Sequence, residues 1–93
     1  MDFKWNNNKN KINIRKHGID FSDAVAMFDY PLIACIDRRA DYKEERWVGI
    51  GILNGTIAVI VYTEDDINEV IRIISVRKAT NSESERFKEI FKY

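Results

Sequence analysis

The dipeptide Asn54-Gly55 stands between two runs rich in Val, Ile, Tyr and Trp, Arg46–Leu53 and Thr56–Thr63. Both central residues of a type I′ turn need positive φ, and Asn-Gly supplies them at little steric cost, so this spacing predicts a two-residue β-hairpin. A third run of the same composition, Val70–Arg77, follows an acidic connection, Glu64–Glu69. A fourth, Leu32–Asp37, precedes the hairpin. Four strands of this length in near succession predict a largely antiparallel sheet.

The flanks have a different period. Asn6–His17 reads as a helix closed by Gly18, the residue type that most easily takes the left-handed conformation past a helix end. Asp20 reads as an N-cap before Phe21, Ala24, Val25 and Phe28, whose i, i+3, i+4, i+7 spacing makes an amphipathic helix ending at Tyr30-Pro31. At the other end Ser82-x-x-Glu85 reads as a capping box, with Phe87, Ile90 and Phe91 as the apolar face of a closing helix. The expected fold is α+β: two N-terminal helices, about four strands, one C-terminal helix, all in one domain spanning residues 1–93.

Charge and cysteine usage narrow the class. The N-terminus lacks the apolar core of a signal peptide, no eighteen apolar residues run together, and the single cysteine, Cys35, has no partner for an internal disulfide. A cytoplasmic protein is expected, with Cys35 as a buried structural thiol in an apolar run. Formal net charge is zero, but it is unevenly spread. Residues 1–17 carry Lys4, Lys9, Lys11, Arg15 and Lys16 against Asp2, and residues 70–93 carry six cations against three glutamates. The middle is acidic. If the two basic ends meet in space, a cationic patch forms on a neutral protein.

Few residues offer chemistry. One His and one Cys, eighteen positions apart, give no zinc spacing, Asp65-Asp66 lacks the rest of a calcium loop, and no glycine-rich phosphate loop precedes a helix, so neither metal nor cofactor is expected. On the first helix Lys9, Asn13 and Lys16 recur at i, i+4 and i+7 with His17 at the C-terminal end. The stripe suits phosphate binding and proton transfer, or is a solvated face whose cations satisfy the helix dipole. Strict alternation along the last strand puts Ile71, Ile73, Ser75 and Arg77 on one face, and Arg72, Ile74 and Val76 on the other. By that count Arg72 and Arg77 cannot share a face. Arg77, at the strand end, is the candidate anion clamp, and Arg72 is a candidate ion-pair partner for Glu44, Glu45 or Glu69. Glu45-Arg46 at the mouth of the second strand is either a base beside a phosphate ligand or an ion pair.

Three groups of these residues, in order, resemble the BrnT toxins. The first is Phe3-x-Trp5, Lys9, Asn13, Lys16-His17-Gly18, Phe21 and Ala24; the second is Glu45, Arg46 and Gly49; the third is Arg72–Ala79 with Glu85 in the helix behind it. The similarity runs from Phe3 to about Phe87. Asn6 stands where the family usually has Asp, removing a negative charge near Lys9, and Val76 replaces the common Ala. The resemblance implies a RelE-like fold, a ribonuclease that halts translation, and neutralisation by a BrnA-type antitoxin in a hetero-oligomer.

With no metal ligands in prospect, the expected chemistry is attack by the substrate's own 2′-hydroxyl. Arg46 and Arg77 are assigned to the scissile phosphate, and Glu45 and His17 to proton transfer. Lys9, Lys16, Arg72 and Lys78 are assigned to RNA binding. The alternative is a non-catalytic module whose polar stripe and ionic strand ends only engage a protein partner. A ribosome-dependent enzyme is a third possibility.

Overall fold

The computed structural model describes residues 1–39 and 44–92. Five strands form one mixed sheet in the order β1-β5-β4-β3-β2: β1 (Asp2–Trp5), β2 (Ile33–Ile36), β3 (Trp47–Leu53), β4 (Thr56–Asp65) and β5 (Val70–Lys78). The Asn54-Gly55 hairpin is present, with φ of +49° and +79° at its two central residues and β3 paired antiparallel to β4. The four expected strands are all found. The fifth, β1, was not anticipated, and it runs parallel to β5. Its F-x-W alternation points Phe3 and Trp5 to one side, where Phe3 meets Phe28 at 5.3 Å and Trp5 meets Phe21 edge-on at 6.3 Å. Four residues among polar neighbours are too few for the period to stand out in sequence.

Helix α1 (Asn7–His17) is capped by the Asn6 side chain, which accepts from the Lys9 N–H, and ends at Gly18 in the left-handed conformation. Asp20 caps α2 (Phe21–Ala24), which tightens into a 3₁₀ turn over Val25–Asp29. Phe21, Ala24 and Met27 are fully buried against Leu53, Ala58, Ile60, Tyr62, Ile71, Ile73 and Val76 on one sheet face. The chain after the 3₁₀ turn presses close to β3: a Cβ on Gly51 would overlap the Leu32 side chain.

The opposite sheet face carries a smaller apolar layer, in which Ile57, Val59 and Val61 are buried, and α3 (Asn81–Phe91) packs there over β3. Its capping box is Thr80 with Glu83, not Ser82 with Glu85. Thr80 accepts from the Glu83 N–H while the Glu83 carboxylate accepts from the Thr80 N–H. The α3 face is also narrower than expected: Phe87 is fully buried, whereas Ile90 is half exposed and Phe91 is exposed beside it. Cys35 is exposed, contrary to its apolar surroundings in sequence, because β2 is the edge strand.

Candidate functional site

The two basic ends of the chain do meet. Both β1 and α1 lie along β5, β1 beside Val70–Ile73 and α1 beyond it. Where β1 stops, the Asn13 side chain takes over as the partner of the β5 backbone. Its Oδ1 accepts from the Val76 N–H and its Nδ2 donates to the Val76 carbonyl, both at 3.0 Å. The same Nδ2 also donates to the Ile19 carbonyl at 3.0 Å. Asn13 is therefore buried, at 5% exposure, and is not part of an open polar stripe. Asn10 plays a parallel role, donating to Asp20 and accepting from the Phe21 N–H. This explains how a helix so poor in apolar residues docks: amides, rather than hydrocarbon, satisfy the backbone it faces.

Strand β5 contains a bulge. Val61 pairs with Ser75 but the next residue, Tyr62, pairs with Ile73, so Ile74 has no opposite number. An extra residue reverses the alternation beyond it. The core face is thus Ile71, Ile73 and Val76, while Arg72, Ser75 and Arg77 share the other face. This corrects the expectation from strict alternation that Arg72 and Arg77 point apart and that Ser75 and Arg77 lie with Ile71 and Ile73. Lys4, in register with Arg72, joins the same face from β1.

The bulge also turns Ile74 toward α1, and a shallow cavity of ≈ 170 Å³ lies between them, lined by Lys9, Ile12, Lys16, His17, Ile74 and Ser75 with Asn13 behind. Lys9, Lys16 and His17 are thereby brought together, as the helical spacing implied.

The arginines are engaged within the protein. Arg77 forms a two-pronged ion pair with Glu83 of α3, at 2.8 and 2.9 Å. The guanidinium holds the Glu83 carboxyl down at about 2, with the Thr80 N–H adding to the effect, and Glu83 in turn raises Arg77. Arg72 pairs with Glu44, one of the three carboxylates considered for it. Arg39 pairs with the buried Asp37 through two contacts, at 2.8 and 2.7 Å.

The remaining candidates are dispersed. Glu45 lines a wider cavity of ≈ 380 Å³ with Lys4, Glu44, Trp47, Thr63 and Arg72, away from His17. Arg46 is half-buried just before β3, where its carbonyl accepts from the Asp37 N–H. Lys78 ends β5 and lines a third hollow with Lys88. Among the described residues no group of three or more His, Cys, Asp and Glu side chains gathers to hold a metal ion.

A family model described as "Ribonuclease toxin, BrnT, of type II toxin-antitoxin system" matches residues 5–83, most of the chain. The chain belongs to the BrnT toxin family. Comparison with curated proteins gives no match. As a BrnT toxin the chain is the ribonuclease component of a type II toxin–antitoxin system, with RNA as its target and an antitoxin as its partner. The matched span takes in α1, the whole of β3 to β5 and, at its last residue, Glu83. No helix among the described residues is long and apolar enough to cross a membrane.

The places of two residues on this BrnT face escaped sequence reasoning. Glu83 was overlooked because Ser82-x-x-Glu85 fits the capping pattern as well as Thr80-x-x-Glu83 does; only the end of β5 at Lys78 selects the earlier box. Lys4 is counted in the basic N-terminal end by sequence, but its place on this face goes with β1, which sequence does not disclose.

Proposed function

We propose that this BrnT chain is a metal-independent endoribonuclease of RelE-like fold that cuts RNA on the β5 face and so halts translation in the cytoplasm. The 2′-oxygen of the substrate attacks the adjacent phosphorus, the bond to the 5′-oxygen breaks, and the products carry a 2′,3′-cyclic phosphate and a free 5′-hydroxyl. Arg77 stabilises charge on the scissile phosphate, and Lys9, Lys16, Arg72 and Lys78 hold phosphates on either side. Arg46, two strands away and four positions along the sheet, does not reach the phosphate that Arg77 holds. His17, in the cavity beside Ser75, is the proton carrier; Glu45, in the separate cavity with Lys4 and Arg72, is too far from it to share the step. The observation that supports this most is the bulge at Ile74, which aligns Arg72, Ser75 and Arg77 on one face beside the Lys9, Lys16 and His17 cavity. Bulges of this kind commonly re-aim side chains next to active sites.

Because Arg77 and Arg72 are already paired, RNA binding is an exchange: phosphate oxygens replace the carboxylates of Glu83 and Glu44. A planar guanidinium fork donates to carboxylate and to phosphate oxygens with similar geometry. A BrnA-type antitoxin, bound in a hetero-oligomer, is the proposed neutralising partner.

Incubation of the purified chain with single-stranded RNA in excess EDTA tests the chemistry. Cleavage with 2′,3′-cyclic phosphate ends is expected. Arg77→Ala is expected to abolish cleavage and growth inhibition while leaving the circular-dichroism spectrum unchanged. An equally toxic, folded Arg77→Ala variant removes Arg77 from the mechanism, and a requirement for divalent metal refutes metal independence.

A further inference from the structure

The cavity between α1 and the β5 bulge has walls of two kinds. Ile12 rises from one side, 49% exposed on a helix whose other exposed residues are polar or charged apart from Ile14. Ile74 faces it from the other side, half-buried, in the one β5 position without a partner on β4. Neither isoleucine belongs to the main core. Lys9, Lys16 and His17 rim the slot, and Ser75, which carries a hydroxyl, lines it beside Ile74. Two apolar walls with a cationic rim and one hydrogen-bonding group match the composition of a nucleotide: a flat base with apolar faces and a polar edge, attached to a phosphate.

Resting on the ribonuclease reading above, we infer that the slot between Ile12 and Ile74 is a base-binding subsite for one unpaired ribonucleotide of the RNA substrate. The base inserts between the two isoleucines, its edge meets the Ser75 hydroxyl, and Lys9 and Lys16 hold the phosphates on either side. The backbone then passes Ser75 toward Arg77, two positions further along the same strand face. An RNA strand held this way must be single-stranded, since a paired base cannot leave its stack to enter the slot without losing that pairing. Contacts of a base with an apolar wall tolerate sequence, whereas a hydroxyl reads the base edge, so Ser75 is the element that confers preference. The slot thus assigns a role to Ile12, Ile74 and Ser75 that the phosphate chemistry leaves unused.

The test uses the whole chain with three probes: a nucleoside 5′-monophosphate, ribose 5-phosphate, and a short single-stranded RNA made uncleavable by 2′-O-methyl groups. The Ile12 and Ile74 methyl resonances are expected to shift with the nucleotide and not with ribose 5-phosphate. Ile12→Ser, at an exposed position, is expected to weaken RNA binding about 5–10-fold, because it removes one of the two apolar walls against the base. Ile67→Ser, at a 93% exposed position in the β4–β5 turn, is the control and is expected to bind as the parent does. Ser75→Ala is expected to change the order of affinity among the four monophosphates. Equal shifts with ribose 5-phosphate, or parental RNA affinity in Ile12→Ser, overturn the base subsite while leaving a ribonuclease that grips only the backbone. If the parent chain neither binds nor cuts RNA, the ribonuclease reading falls, and the subsite with it.

Discussion

Replacing Asn13 tests whether an amide can serve as the missing strand beside β5. This side chain makes three hydrogen bonds of 3.0 Å: its Oδ1 accepts from the Val76 N–H, and its Nδ2 donates to the Val76 and Ile19 carbonyls. Asn13→Ala leaves the Val76 N–H and carbonyl without their partner in a buried place. An unsatisfied buried group costs about 1–3 kcal/mol, and two give roughly 2–5 kcal/mol after relaxation, against a gain of under about 1 kcal/mol from alanine's better helix propensity. A chain of this size has about 5–14 kcal/mol of total stability, so the loss is a large share of it. At roughly 4–8 °C per kcal/mol, a net loss of about 3 kcal/mol lowers the melting temperature by about 12–24 °C. Urea titration by circular dichroism measures the free energy, and hydrogen exchange at the Val76 amide locates it. The variant should keep its sheet but lose protection at Val76. A midpoint within experimental error of the parent would refute the bridging role.

Asn13→Asp sharpens the same point through charge. Aspartate can still accept from the Val76 N–H, but an ionised carboxylate facing the Val76 and Ile19 carbonyls cannot donate to either. The folded state therefore favours the protonated acid, and the folded carboxyl is raised above its unfolded value. Stability contributed by such a group is complete below the unfolded value and is lost as pH rises through the folded one. The variant should be nearer the parent in acid than at neutral pH. Equal deficits at both would show that the amide N–H donors are unimportant.

The remaining predictions concern Glu83 and Gly51. Glu83→Gln keeps the capping box, which glutamine can complete, but removes the charge facing Arg77. At neutral pH it should cost no more than about 1 kcal/mol, because the pair is partly exposed. The parent's Glu83 is held at about 2, below its unfolded value, so its stabilising effect is present above about 4.5 and is lost as pH falls toward 2. The gap between parent and variant should therefore close over that interval, and a constant gap from neutral pH to pH 2.5 would contradict the assigned cause. Glu83→Gln should also tighten RNA binding by vacating the Arg77 fork; unchanged affinity would argue against the exchange. Gly51→Ala drives a methyl into Leu32 and should destabilise by about 1–3 kcal/mol in urea titration, with no loss expected only if Leu32 has room to turn aside.

What sequence could and could not disclose follows from the range of each signal. The Asn-Gly hairpin, the Gly18 stop and the Asp20 cap are local, and each appears where its residues place it. The Lys9, Lys16 and His17 cluster survives because helical spacing is local as well. The bulge is not local. Nothing in the residues around Ile74 requires one, and it becomes necessary only when Ile73 must face the core opposite Tyr62 while Val76 must do so opposite Ile60. Those two demands are separated by three positions, an odd number that an unbroken strand cannot meet. One extra residue resolves the conflict, and the same step carries Arg77 onto the face that holds Arg72. The packing of Ile73 and Val76 thus sets the alignment of the arginines. Deleting Ile74 would leave an unbroken strand with Ile73 opposite Tyr62, Val76 opposite Ile60 and Arg77 opposite Val59 as before, so the Glu83 pair should survive while the Ile74 wall beside α1 is lost. The core and the proposed RNA face are coupled through a single unpaired residue.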